Sequence, residues 1–324
     1  MNILYIFGNG FDKAQGMATS YPEFYSYLIQ SDSTASLLLK KMQKEVAQNV
    51  ELWSDMEMEL GNFTFNTDDA NEFYEFYFEL IEKLQKYLNI ENEKFTPSPQ
   101  LKVKFQEDFV NPGKYIEALD KERFNNFFKT YNTYLDISVL TLNYTYSLEK
   151  ILNLSKNNTQ RDLGNNYKLR NIIHLHGQLD NSIIVGVDNE MQLKNESFRE
   201  NDDIKDCMIK MQSNQTMKEI RHIDCKQLID GAHLIVLFGV SLGDTDAYWW
   251  KYIGKNLIAR KNIAIVQHLY NPEAVPLNQQ QKRGRLERKH QQLLMQKMGI
   301  EQENWTEEIK NRLFFTLNKP IFKL

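Results

Sequence analysis

Four short stretches of the 324-residue chain place reactive or ligand-holding side chains directly after apolar runs. One is Phe238-Gly239-Val240-Ser241-Leu242-Gly243-Asp244, which follows Leu234-Ile235-Val236-Leu237. Read as GxSxG, it matches the strand-to-helix turn on which α/β-hydrolases present a nucleophilic serine. The same glycine-rich geometry lets a backbone approach the phosphate or ribose of a nucleotide. Ser241 is therefore either a nucleophile or a contact on a ligand-binding turn. In the hydrolase reading an acid and a histidine follow it in chain order, and Glu273 and His290 hold those positions.

The first apolar run ends in Gly8-Asn9-Gly10-Phe11-Asp12, with Gly16 beyond. A glycine pair between a strand and a helix allows close approach to a pyrophosphate, although Lys13 stands where GxGxxG has its third glycine. Asn143 closes the run Thr141-Leu142-Asn143, either as a ligand contact at a strand end or as a turn residue. The run ending His174-Leu175-His176-Gly177 alternates two histidines, which in a strand share one face. HxH can be half of a zinc site, but only Asp180 and Asp188 follow at short range, and no metal is expected. His176, last before the glycine, is better placed as a strand-end acid or base that titrates near neutral pH.

Something must hold these four ends together. Apolar runs at Ile3 to Phe7, Ile137 to Leu142, Ile172 to His176, Leu234 to Phe238 and Ile263 to Gln267 are short, β-branched or aromatic, and apolar at successive positions. That pattern fits strands covered on both faces, hence a parallel sheet flanked by helices, with Ile183 to Val187 and Phe314 to Leu317 as edge strands. The fold class expected is α/β, a Rossmann-like open parallel sheet forming one domain over 1–324. Phe73, Phe76, Tyr77, Leu80, Ile81, Leu84 and Leu88 form a helical stripe of core type. It belongs to a helical insertion spanning 23–134, and a second insertion spans 190–230.

Composition narrows the function classes. A hydrophobic content of 42% with 25% charged residues describes an ordinary globular chain. The net charge of −4 offers no basic face for nucleic acid, and the run Lys282, Arg283, Arg285, Arg288, Lys289 reads as a solvated helix face. No apolar stretch approaches a membrane span, and none forms a secretory leader, so the protein is expected to be cytoplasmic and off the membrane. Cys207 and Cys225 lack the spacing of a zinc ribbon and are expected as reduced thiols.

Taken in order, the four blocks resemble the sirtuin (SIR2) family. Gly8, Gly10 and Gly16 have the glycine spacing of its first block, and TLNY, HG and GVSL are similar to its TQNxD, HG and GTSL. A closer resemblance, over residues 3 to 250, is to the bacteriophage abortive-infection AbiH family, carried by GNGFD, WSDMEMELG, TLNYT, HLHG and FGVSLGDTD with a following Tyr248-Trp249. The resemblance implies a SIR2-like protein of phage defence with NAD as substrate or ligand. Asn143 and His176 would be catalytic, and Gly8, Asn9, Gly10, Phe11, Asp12, Ser241 and Asp244 would hold the dinucleotide. Glu57 and Asp246, with Asp12 and Asp244, either reach the ribose hydroxyls, tune His176 or simply cap free N–H groups.

Three readings follow. The first is an NAD glycohydrolase. The second is a sensor or scaffold that binds a nucleotide or phage-made ligand without turnover, motivated by Thr19-Ser20-Tyr21, Thr145 and Val240 where the related families carry other residues. The third is the serine hydrolase. The resemblance adds a phage-derived trigger, a partner defence protein and a homo-oligomer as expected partners. The four zinc-binding cysteines of sirtuin deacylases are missing here, which disfavours deacylation.

Overall fold

The structure is a computed structural model and describes residues 1–30, 35–131, 134–155, 160–164, 166–271 and 280–323. Its strands are β1 (Asn2–Phe7), β2 (Leu135–Thr141), β3 (Arg161–Gly164), β4 (Tyr167–His174), β5 (Leu234–Phe238), β6 (Ala264–Leu269) and β7 (Leu313–Leu317). They make one sheet in the order β3-β4-β2-β1-β5-β6-β7. All pairs are parallel except β3 with β4. Without the edge hairpin strand β3, this is the doubly wound Rossmann order, and β1 and β5 are the neighbours at which the chain changes direction.

The alternation of each strand divides the core into two layers. Tyr5, Val139, Val236 and Val266 face helices Pro99–Phe109, Ala118–Lys129 and Ser147–Leu152. Ile6, Leu140, Ile235 and Ile265 face helices Arg221–Gly231, Ala247–Ala259 and Gln280–Lys297. Burial of each such aliphatic side chain contributes about 1.5–3 kcal/mol, which is why successive apolar positions mark these strands. Among the described residues no helix is long and apolar enough to cross a membrane.

A third core lies off the sheet. Helices Tyr21–Gln30, Leu37–Gln48, Met56–Phe63 and Ala70–Lys94 bury Tyr25, Trp53, Phe73, Phe76 and Leu80 against Val185, Phe198, Ile204 and Met208. The stretch expected as one insertion over 23–134 thus serves two places. Its part up to Lys94 forms this helical lobe with residues from 179–209, and its helices from Pro99 onward roof the sheet.

Two strand expectations need correction. Ile183 to Val187 forms no edge strand. Its one ladder contact is a parallel bridge from Val187 to Ile209, and its carbonyls at Ile184 and Val185 accept from the Tyr144 and Tyr77 hydroxyls. Its side chains are buried in the lobe, so the apolar run reflects helix contacts rather than a sheet. The strand expected from Ile172 begins at Tyr167 and ends at His174, which leaves His176 in the turn beyond it. The polar half of that strand, Tyr167 to Asn171, carries no continuous apolar signal.

At the ends of β1 and β5 two turns meet backbone to backbone. Gly8 N donates to Phe238 O at 3.1 Å and Gly10 N to Gly239 O at 2.9 Å. A Cβ on Gly239 would stand 2.5 Å from Phe11 N, at a φ of +68°. Gly239→Ala is therefore expected to cost about 2–5 kcal/mol, combining overpacking with backbone strain. Gly243→Ala, where the added methyl meets nothing nearer than 3.7 Å, should change stability by less than about 0.5 kcal/mol. Denaturant unfolding of the two variants checks the contrast.

Candidate functional site

The carboxyl ends of β1, β2, β4 and β5 open into one cleft of about 770 Å³. This lies within the usual range for ligand sites of about 300–1,000 Å³, at the crevice where doubly wound sheets bind ligands. Its wall carries Gly8, Asn9, Gly10, Asp12, Asn143, His176, Ser241 and Asp244, so eight of the nine residues singled out in the sequence converge there. Phe11 does not line it. Its ring is buried in the core, 4.7 Å from that of Phe7 between centroids.

The first turn is braced rather than open. Gly8, Gly10 and Phe11 commit their N–H groups to Phe238 O, Gly239 O and Gly8 O. Asn9 exchanges two hydrogen bonds with Thr19, donating to its carbonyl at 3.0 Å and accepting from its hydroxyl at 2.6 Å. Asp12, buried, accepts from Thr145 Oγ1 and Ser147 Oγ, both at 2.5 Å. Burial raises its pKa, and these hydroxyls oppose the shift. Asp12 and Thr145 thereby tie the β1 turn to the loop after β2.

Asn143 and His176 are different, because each is buried yet keeps unspent polar atoms. Asn143 Nδ2 makes no well-formed hydrogen bond, although it lies near enough to Asp12 to favour that carboxylate. Its carbonyl accepts from His174 Nδ1 at 2.8 Å, in the tautomer that places the proton there. His174 Nε2 meets Glu149 Oε1 at 2.8 Å. Burial lowers the His174 pKa, but Glu149 and the Asn143 carbonyl outweigh burial and raise it. The two histidines of HLHG thus serve separate partners, one structural and one on the cleft.

His176 Nε2 lies 2.9 Å from Asp246 Oδ1, a charge contact off the line of the N–H, so neither ring nitrogen has a well-formed hydrogen bond. Behind it stands a group that sequence reading gave no reason to expect. Lys210 Nζ, on a residue only 5% exposed, bridges Asp246 Oδ1 at 2.9 Å and Glu57 Oε2 at 2.8 Å. Glu57 also accepts from Thr245 Oγ1 at 2.9 Å. Burial opposes the Lys210 charge, but Asp246 and Glu57 more than offset it and raise the pKa. Burial likewise opposes the Asp246 charge, and Lys210 with His176 holds that carboxyl well below the usual range. For Glu57 burial prevails over Lys210 and the pKa is raised.

Lys210 had no motif around it because its position comes from tertiary pairing. The bridge between Val187 and Ile209, flanked by Lys210 N to Val187 O at 3.0 Å, delivers it beneath the cleft. Glu57 and Asp246 were legible only as acidic residues within recurring blocks. Asp244 sits at the rim, 60% exposed at its side chain and paired with Lys297 at 2.6 Å.

Ser241 is exposed, and no hydrogen bond joins it to a histidine among the described residues. The left-handed residues of its turn are Gly239 and Leu242, with φ of +68° and +56°, rather than the serine. Helix Ala247–Ala259 starts well beyond it, after a short 3₁₀ turn at Asp244–Asp246. Glu273 lies outside the described residues, and His290 is half-buried on helix Gln280–Lys297.

Removing one partner from a buried ion cluster leaves its counter-charges stranded, typically at about 3–5 kcal/mol. Lys210→Met should lose stability on that scale at pH 7. Glu57 and Asp246 would then hold protons more tightly in the folded than in the unfolded chain. Stability of the variant should therefore fall as pH rises, and the deficit should shrink as pH drops toward about 5. Thermal unfolding of wild type and variant across that range measures it.

A comparison with curated proteins gives no significant match. The family model described as bacteriophage abortive infection AbiH matches residues 4–268, which run from β1 into β6 and include every cleft residue named above except Lys297, and the chain belongs to this family.

Proposed function

We propose that the cleft takes NAD as substrate and hydrolyses it to nicotinamide and ADP-ribose, as the chemistry behind the abortive-infection role that AbiH membership supports. The observation that carries this reading is the pair of buried side chains with an unspent polar atom on the cleft wall, Asn143 Nδ2 and His176 Nδ1. Buried polar groups ordinarily have partners, and a polar ligand or ordered water in the cleft would supply these.

In this reaction the bond from ribose C1′ to the nicotinamide nitrogen breaks, and its electron pair neutralises the departing pyridinium. The ribose becomes cationic in an oxocarbenium-like state, which the ionised Asp246 beside the cleft favours. Water adds to C1′ and passes its proton to His176. Asn143 orients that water or the ribose hydroxyls, the kind of positioning that converts encounter into reaction. Lys13 and Lys297 at the rim and the Ser241 hydroxyl line the cleft and are among the groups that would meet the diphosphate.

A second reading rests on the committed amides of the glycine turn. With Gly8, Gly10 and Phe11 N–H groups engaged, the turn gives a diphosphate less than a phosphate loop does, which favours a sensor that binds NAD, ADP-ribose or a phage-made ligand without turnover.

Asn143→Ala and His176→Ala should each reduce nicotinamide release by about 10²-fold or more, with unfolding midpoints close to wild type. Chromatography of NAD incubated with purified protein is the assay. Full release by either variant removes that residue from the mechanism. Saturable NAD binding with no release by wild type, including in lysate from infected cells, replaces the hydrolase with the sensor.

A further inference from the structure

Lys210 is the one cation inside the cluster that faces His176, and its geometry is specific. Its ammonium has two carboxylate contacts, Glu57 Oε2 at 2.8 Å and Asp246 Oδ1 at 2.9 Å, and the same Asp246 oxygen lies 2.9 Å from His176 Nε2. Glu57 accepts at Oε2 from both Lys210 and Thr245, and at Oε1 from Gly186 N at 3.5 Å, an acceptor-only pattern that belongs to an ionised carboxylate. Two carboxylates and one ammonium leave a single negative charge beside the ring.

We propose that Lys210 is a positioning residue for His176: shared between Glu57 and Asp246, it holds Asp246 against the ring and limits the negative charge that the ring feels. The inference rests on His176 as the working base. Lys210 does not line the cleft, and the oxygen it shares with the ring is Asp246 Oδ1, so its action runs through Asp246. The other groups on this wall do not compete for the role. Tyr21 and Tyr144 are both kept neutral by burial, reinforced by the Glu57 charge. Of the other cations near this wall, Lys297 is bound to Asp244 at the rim, and Arg221, whose Nη1 lies beside Gly177, pairs with Glu219 at 2.8 Å.

Charge arithmetic gives a signature that loss of packing cannot imitate. Replacing Lys210 by a neutral group raises the negative charge beside the ring, which then holds its proton more tightly. Neutralising Glu57 or Asp246 lowers it, and the ring releases its proton more readily. The shifts must have opposite signs although all three substitutions remove a charge from one cluster.

The test is a nuclear magnetic resonance titration of histidine-labelled full-length protein. The six histidines keep the spectrum tractable, and His176→Gln assigns the signal. Lys210→Gln should move the His176 midpoint up by about one pH unit, Glu57→Gln down, and Asp246→Asn down further because it touches the ring. Lys210→Arg should return the midpoint to near wild type. Shifts of the same sign, or no shift in Glu57→Gln, overturn the proposal. If Lys210→Gln fails to fold, the two carboxylate variants and Lys210→Arg still decide it.

The pH profile of nicotinamide release, measured in parallel, should follow the same order, with kcat falling in Asp246→Asn while KM for NAD stays within about twofold. Absence of release by wild type would remove the hydrolase reading, whereas the titration would still report on Lys210 and His176. Release whose pH profile ignores these substitutions would spare the hydrolase and overturn the positioning role.

Discussion

A lysine ammonium taken out of water must be neutralised where it sits, and this constraint organises the molecule around Lys210. Its two carboxylates come from opposite ends of the architecture. Glu57 lies on helix Met56–Phe63 of the lobe, and Asp246 follows the β5 turn. His176 follows β4, and Lys210 itself is delivered through the bridge to Val187. Four segments distant in sequence are thus linked in a chain of contacts of 2.8–2.9 Å that runs Glu57, Lys210, Asp246, His176. Hydrophobic contacts hold the lobe together internally, and the ion cluster ties it to the strand ends beside hydrogen bonds from Tyr146 N to Asn92 Oδ1 and from the Tyr87 hydroxyl to Ala18 O. A buried cluster of this kind gains little stability over an apolar replacement. What it supplies is registry, because few arrangements satisfy all its charges.

A second constraint is steric and lies a few residues away. The two glycine-bearing turns at the ends of β1 and β5 pack so closely that side chains are excluded from Gly8, Gly10 and Gly239. Of these only Gly239 has a left-handed backbone, so the other two answer to backbone approach rather than to conformational freedom. A glycine motif after a strand is commonly taken as the mark of a phosphate. Here the same residues are required by contact between the turns themselves, and their amides are spent on that contact. The proposed chemistry of the cleft therefore rests on Asn143 and His176, whose Nδ2 and Nδ1 atoms remain unspent.

The sheet was legible because its strands are covered on both faces, and Leu234–Phe238 in particular appears as a continuous apolar run. Phe314 to Leu317 was legible for the same reason, and it lies as an edge strand beside β6. Tyr167 to Asn171 was not, since Leu169 alone among them is fully buried and polar residues flank it. Ile183 to Val187 gave a false strand because an apolar pentapeptide carries no record of whether helices or strands surround it. Convergence of the four blocks was legible from their order and from the rule that parallel strands present ligands at their carboxyl ends. Lys210 was not, because a lysine in a polar helical stretch looks like a solvated one. Only burial against two carboxylates distinguishes it, and burial is a tertiary property.

The division of labour inside HLHG shows how one short motif can serve two constraints. His174 ends its strand with both nitrogens engaged, one on the Asn143 carbonyl and one on Glu149. It fixes the backbone from which the Asn143 amide projects. His176, two residues on and past the strand end, meets Asp246 of the charged cluster at Nε2 and leaves Nδ1 without a partner. Were the strand to continue, period two would place both rings on one face with similar partners. The strand stops at His174, and Gly177, at a φ of +89°, turns the chain away at once. The same tripeptide therefore yields one histidine that holds the site in shape and one that keeps Nδ1 for the cleft. The end of a strand, rather than its interior, is where such a distinction can arise.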